Sequence, residues 1–325
     1  MEYVKLGNTG MEVSKLCLGC MGFGEPERGR EKWSIGEAES REVIKKALDS
    51  GINFFDTANL YSAGSSEEIV GKALKDFANR DEIVLASKLY FPMFDGPNAK
   101  GLSRKSIFAE IDHSLKRLQT DYLDLYIIHR WDYDTPIEET MEALHDLVKM
   151  GKVRYIGASS MHAWQFAKAQ FTAEKNGWTK FVSMQNLYNL LYREEEREMI
   201  PLLQDQNVAM TPWSPLAGGR LTRDIGAITA RASQAVQADL PAYIVASDNE
   251  VISRVHKLAD ERGITRGQVA TAWMLSKDYV TAPLIGATKV NYLDDALGAF
   301  EVALSAEEIK YLEEAYVPRN ITGYR

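Results

Sequence analysis

Short runs of β-branched and aliphatic residues alternate along the chain with longer stretches whose apolar positions recur every three or four residues. The first pattern suits buried strands and the second suits helices with one apolar face, so their alternation predicts a parallel sheet with helical crossovers. Strands are expected over residues 14–18, 53–56, 83–88, 123–129, 155–159, 181–185, 208–213 and 282–285. Helices are expected over 39–50, 65–77, 104–118, 137–150, 163–176, 194–206, 249–262 and 265–277, with Gly151 and Gly177 standing where helix C-caps belong. Eight strands, each followed by helix, predict a single α/β domain over 1–325, a (β/α)8 TIM barrel. An open doubly wound sheet would need a nucleotide fingerprint after its first strand, and Gly19, Gly22 and Gly24 have the wrong spacing for one. Residues 3–6 and 11–13 flank Asn8-Thr9-Gly10 and read as an N-terminal β-hairpin placed to plug the barrel floor. Long loops follow strands 3 and 7, over 89–103 and 214–246, at the barrel end that carries chemistry in this fold.

Composition narrows the partners. With 325 residues, 45% hydrophobic and 26% charged, the chain can bury a large core and is not a disordered segment. Its 38 basic and 46 acidic side chains leave a formal charge of −8, which offers no electrostatic footprint for nucleic acid. Cys17 and Cys20, its two cysteines, lie too close along a strand running into a loop for an easy disulfide, and a cytoplasmic setting is expected. No stretch approaches the ~18 apolar residues of a membrane span, so no membrane partner is expected. His113, His145, His162 and His256 read as surface residues without metal-ligand spacing, and no metal is expected. The charge run over 193–198 reads as the solvated start of a helix, and no seam or repeat marks an oligomer interface.

Titratable side chains gather at the expected strand ends. Asp56 closes the second strand with Tyr61 just beyond it, Lys88 closes the third and His129 the fourth. Asp56 and Lys88 alone could form a barrel-mouth salt bridge; a phenol and an imidazole from adjacent strands make an acid–base site the better reading. A lysine cation about 4 Å from a phenol contributes up to ~4 kcal/mol at an effective dielectric of ~20, enough to draw the tyrosine pKa from ~10 toward neutrality. Tyr61 then reads as a general acid, with Asp56 holding Lys88 charged and His129 donating to a substrate oxygen.

The chain resembles the aldo-keto reductases over its whole length. The matching stretches are Gly51-Ile52-Asn53-Phe54-Phe55-Asp56-Thr57-Ala58 with Tyr61, Ala86-Ser87-Lys88, Ile128-His129-Arg130, Gly157-Ala158-Ser159-Ser160, Met184-Gln185-Asn186 and Trp213-Ser214-Pro215-Leu216-Ala217-Gly218-Gly219-Arg220-Leu221. The last motif and the loop behind it are similar to the branch holding bacterial reductases and the potassium-channel β subunits. The resemblance implies a catalytic tetrad of Asp56, Tyr61, Lys88 and His129, a small carbonyl substrate, and NADPH bound without a Rossmann fold. It implies cofactor contacts at Gly19, Cys20, Met21, Asp56, Ser159, Ser160, Gln185, Trp213, Ser214, Pro215, Leu216, Gly218, Arg220, Thr222, Arg223, Gly286, Thr288, Lys289, Tyr292 and Asp295. The chemistry agrees in kind: Ser159, Ser160 and Gln185 suit a carboxamide, Trp213 offers a stacking face, and a helix opening near Val290 favours an anion. Arg220, Arg223 and Lys289 are the candidate cations for a 2′-phosphate. Where relatives often carry Asn this chain has Ser160, and the Glu-Asn pair of the final helix reads Asp295-Ala296.

Tyr61, His129, Trp33, Tyr90, Arg130 and Trp131 are the candidate substrate residues, with Phe91 and Tyr324 adding to an aromatic lining. Two other classes of function stay open. One is an NADPH-binding sensor or partner module with slow turnover. The other is a lyase or synthase acting on a sugar phosphate, with Lys88 as a Schiff-base amine.

Overall fold

The computed structural model describes residues 1–227 and 245–324. The chain opens with an antiparallel hairpin, β1 (Tyr3–Lys5) and β2 (Glu12–Ser14). Its turn sits against the barrel floor: a Cβ added to Gly7, whose φ is +56°, would lie 2.8–2.9 Å from Ala209 N, Asn207 O and Val182 O. Leu6 and Val13 are fully buried there among lumen residues, so the hairpin seals the N-terminal end as expected.

Eight parallel strands follow: β3 (Cys17–Gly19), β4 (Phe54–Asp56), β5 (Val84–Leu89), β6 (Leu123–Ile128), β7 (Val153–Ser159), β8 (Ser183–Gln185), β9 (Ala209–Met210) and β10 (Leu284–Gly286). Their order is β10-β3-β4-β5-β6-β7-β8-β9. The ring closes between β9 and the segment entering β10, where Thr281 N donates to Met210 O at 2.8 Å and Leu284 N to Pro212 O at 2.9 Å. This is the (β/α)8 barrel. The expected strand over 14–18 divides in two, because Ser14 Oγ donates to Leu16 O at 2.6 Å and Ser14 N to Asn53 Oδ1 at 2.7 Å, turning the chain between hairpin and barrel.

Helices α1 (Glu37–Asp49), α2 (Ser65–Phe77), α3 (Arg104–Leu118), α4 (Ile137–Lys149), α5 (Ala163–Asn176), α6 (Met199–Asp205), α7 (Asp248–Arg262), α8 (Arg266–Leu275), α9 (Val290–Gly298) and α10 (Ala306–Glu313) cover the barrel. The single helix expected over 194–206 is instead a 3-10 turn, Glu194–Glu196, followed by α6. Pro201 has no N–H for the preceding turn and is tolerated only in the first turn of α6. The unanticipated α10 is announced by a capping box in which Ser305 Oγ accepts from Glu308 N and the Glu308 side chain accepts from Ser305 N.

Two apolar layers follow from strand alternation. Phe54, Val84, Ala86, Leu125, Ile127 and Ala209 fill the lumen, while Phe55, Leu85, Tyr126, Ile128 and Met210 pack outward on the helices. Lumen space is tight at Gly157, where an added Cβ would lie 2.4 Å from Ser183 Oγ and 3.3 Å from Ile127 Cγ1. The long connection after β5 is ordered by Gly101 N donating to Tyr90 O at 2.7 Å and Leu102 N to Asp132 Oδ2 at 2.7 Å. Of the loop expected over 214–246, residues 228–244 lie outside the described residues.

Candidate active site

The same alternation that fills the lumen delivers chemistry to its mouth. Phe54 points inward, so Asp56 two residues on does too; Lys88 follows Val84 and Ala86; His129 follows Leu125 and Ile127. Because β4, β5 and β6 are neighbours, a carboxylate, an ammonium and an imidazole meet at the C-terminal rim. Tyr61 arrives from the loop after β4 through the 3-10 turn Tyr61–Gly64, in which Ser62 and Ala63 hold left-handed φ of 45° and 50°. Such backbone costs ~1 kcal/mol or more per residue, and Glu31 offsets it by accepting from Ser62 N at 3.0 Å.

Lys88 Nζ donates to Asp56 Oδ1, to Thr57 O at 2.7 Å and to Tyr61 OH at 3.2 Å. Lys88 and Asp56 are 0% and 1% exposed, and Gln185 Nε2 donates to the second Asp56 oxygen at 2.9 Å. Burial works against the ammonium, but Asp56 and Tyr61 outweigh it and hold the Lys88 pKa above its ordinary value. With its pKa raised and its ammonium engaged by Asp56, Thr57 and Tyr61, Lys88 is held away from the neutral amine that a Schiff-base nucleophile needs.

The Tyr61 phenol departs from the expected direction. Burial pushes its pKa up, Lys88 pulls it down and Asp56 adds to the rise; burial wins, so the phenol lies above its ordinary value rather than near neutrality. Tyr61 is therefore protonated at neutral pH, and the Lys88 charge acts on the phenolate that proton donation would leave. Burial, with Lys88 and Arg130, holds the His129 pKa well below 6.5, so the imidazole is neutral. Its Nδ1 is buried without a hydrogen-bond partner, and its ring stands edge-on to Tyr61 at 5.8 Å and Phe91 at 5.1 Å.

The residues expected to hold a cofactor occupy the arc from β7 round to β3. Ser159 Oγ donates to Gln185 O at 2.7 Å and lies 3.1 Å from Ser160 Oγ, which accepts from Trp213 Nε1 at 3.1 Å. The Gln185 amide is turned toward Asp56, so it belongs to the ion-pair cluster as well as to the rim. Ser160, Ser214 and Ala217 carry left-handed φ of 50°, 56° and 52°, backbone strain concentrated around Trp213. Behind it Pro215 is buried, Leu216, Gly218 and Thr222 are half-buried, and Arg223 is exposed. Gly286, Thr288 and Lys289 lead into α9, which carries Tyr292 and Asp295, with Lys289 exposed at its N-cap. Gly19 ends β3, and Cys20 and Met21 open the next turn; burial pushes the Cys20 thiol far up, leaving it inert.

Several expectations are corrected. Arg220 is not a free cation: its Nη1 lies 2.7 Å from Asp248 Oδ2, and Arg319 Nη2 donates to the other Asp248 oxygen at 2.5 Å. Trp131 is 7% exposed and packs 6.1 Å from the Trp164 ring on the rim after β6. Trp33 packs near Gly22 and Thr288, since a Cβ added to Gly22 would meet both side chains. Of the four histidines read as surface residues, His113 is exposed, whereas His145, His162 and His256 are half-buried. The charge run over 193–198 is not a solvated helix start, because Glu194 and Glu195 are buried. Glu195 accepts from Asn186 Nδ2 and Tyr324 OH, and Glu194 from Tyr316 OH at 2.6 Å and Arg319 N at 2.8 Å, so this acidic pair clasps the C-terminal segment. Charge composition alone conceals that role.

A profile of the Aldo/keto reductase family matches residues 15–317. The chain belongs to this family. It is 46% identical over 345 residues to the versiconal hemiacetal acetate reductase of Aspergillus parasiticus, covering 99% of this chain and 98% of that protein. A Schizosaccharomyces pombe protein provisionally named an aryl-alcohol dehydrogenase is 47% identical, with 99% and 97% covered. The aldo-keto reductase AFTS1 of Alternaria alternata is 44% identical, with 99% and 93% covered. This aldo-keto reductase is accordingly an oxidoreductase of the nicotinamide-dependent kind. No helix among its described residues is long and apolar enough to cross a membrane.

Proposed function

We propose that this single-domain aldo-keto reductase reduces aldehydes or ketones to alcohols with NADPH, and that Tyr61 donates the proton. The observation that carries the reading is the Asp56–Lys88–Tyr61 chain of hydrogen bonds in a buried mouth, with a neutral His129 beside it. When bound, the nicotinamide supplies the hydride that ends on the carbonyl carbon. Tyr61 gives its hydroxyl proton to the carbonyl oxygen, completing the alcohol, and regains a proton from solvent afterwards. Lys88, 3.2 Å from the phenol oxygen, stabilises the transient phenolate, and Asp56 balances and aims Lys88. Neutral His129 donates its one N–H to the same substrate oxygen.

The donor set suits the cofactor. Ser159 and Ser160 bring hydroxyls next to the Trp213 indole, the mix a carboxamide and a flat ring require, and Asn186 braces them, its Oδ1 accepting from Ser160 N and its Nδ2 donating to Glu195. Gln185 supports the same corner through Asp56. Gly19, Cys20 and Met21 would flank the ring, Ser214, Pro215, Leu216, Gly218 and Thr222 the pyrophosphate, and Gly286, Thr288, Tyr292 and Asp295 the adenosine half. With Arg220 engaged by Asp248, the exposed Arg223 and Lys289 are the cations left for a 2′-phosphate, which favours NADPH over NADH. Tyr90 and Arg130 border the substrate side. The fungal reductase relatives support this reading more than the likeness to bacterial reductases and channel β subunits does.

Steady-state NADPH oxidation with a panel of aromatic and aliphatic aldehydes tests the proposal. Turnover that disappears in Tyr61→Phe while NADPH binding persists supports it. Tight NADPH binding with turnover at background for every aldehyde would favour a sensing role instead.

A further inference from the structure

Lys88 is neutralised by Asp56 and His129 carries no charge, but the next cation on the rim has no counter-ion among the described residues. Arg130 follows His129 at the end of β6; its Nη1 donates only to the main-chain oxygen of His129, at 2.6 Å. Its Nε is buried without a hydrogen-bond partner, and among the described residues it has no carboxylate partner. Asp132, close in sequence, is spent on Leu102 N and Thr135 Oγ1, both at 2.7 Å. The guanidinium lies among the reactive groups: its Cζ is 5.4 Å from the Phe91 ring centroid, Phe91 in turn stands edge-on to His129, and the guanidinium charge acts on both Tyr61 and Tyr90. A half-buried guanidinium remains charged, and leaving it unpaired costs free energy that an anionic oxygen group would recover.

The cofactor phosphates do not account for it. The strand order sets β6 directly across the ring from β10, and the proposed phosphate contacts lie after β9 and β10. We propose that Arg130 anchors an anionic oxygen group carried by the substrate, so that the preferred carbonyl compounds bear a carboxylate or a phosphate. Arginine suits this task because its planar fork matches either group in a bidentate manner. The inference rests on the carbonyl-reduction reading for its substrate, but not for its anion site.

The test compares 3- and 4-formylbenzoate, the corresponding formylphenyl phosphates and the neutral methyl formylbenzoates as substrates, with NADPH oxidation as the readout. The expected result is a kcat/KM for at least one anionic aldehyde about tenfold or more above its neutral counterpart, arising mainly in KM. That ratio falls about tenfold in Arg130→Gln and is partly restored in Arg130→Lys; whichever of carboxylate and phosphate loses more is the group recognised. An anion-to-neutral ratio near one in the wild type, or one unchanged in Arg130→Gln, overturns the proposal. If no aldehyde turns over, carbonyl reduction fails separately, and calorimetry with benzoate against neutral benzamide on the NADP+-loaded protein decides the anion site. Benzoate binding that Arg130→Gln abolishes sustains it, and absent or unchanged binding overturns it.

Discussion

Replacing Lys88 by methionine keeps most of the side-chain volume and removes only the charge and its hydrogen bonds. Asp56, 1% exposed, would then keep Gln185 as its remaining side-chain donor, and Thr57 O and Tyr61 OH would each lose a partner. Breaking a buried ion pair from one side costs about 3–5 kcal/mol, chiefly for the charge left behind. At roughly 2 °C per kcal/mol for a domain of this size, the melting temperature should fall by about 6–10 °C. Because the folded-state pKa of Lys88 is raised, its stabilising contribution is fully present at neutral pH and is lost only as pH climbs through that raised value. Adding Asp56→Asn removes the orphaned carboxylate, so the double variant should recover part of the loss, with a coupling of about 1–3 kcal/mol. Thermal and urea melts of the four proteins at pH 7 supply the cycle. If Lys88→Met melts within about 2 °C of wild type, or the two substitutions simply add, the buried pair is not what holds this corner together.

Tyr61→Phe should lower kcat for aldehyde reduction by about 10²- to 10⁴-fold while fluorescence titration shows NADPH affinity nearly unchanged; a variant that turns over like wild type refutes the proton-donor assignment. Gly157→Ala drives a methyl into Ser183 Oγ and should destabilise by about 1–3 kcal/mol, and Ser183→Ala, by removing that atom, should restore part of the stability in urea melts. Burial pushes the Glu195 carboxyl up to about 7 despite its bonds to Tyr324 and Asn186. A carboxyl raised in the folded state costs stability as pH rises from its unfolded value, ~4.3, toward 7. The stability of Glu195→Gln relative to wild type should therefore improve between those limits, by about 3–4 kcal/mol in all, and a difference independent of pH would contradict the buried carboxyl.

What the chain spells out locally is its architecture and the parity of its mouth. Strand and helix periods are properties of neighbouring residues, so all eight barrel strands, the hairpin and the ends of α2, α3 and α5 are legible before any tertiary contact exists. The period of two also places Asp56, Lys88 and His129 on the lumen side, which is why these members of the site could be read from strand ends. Only the tertiary structure decided which charges are spent and which are free. Arg220 and Arg319 converge on Asp248, and Tyr324 reaches Glu195 from 129 residues away, pairings that no local pattern encodes. Burial likewise reversed the expected direction of the Tyr61 pKa, because desolvation depends on everything packed around a group, whereas the pull of one lysine can be guessed from spacing alone.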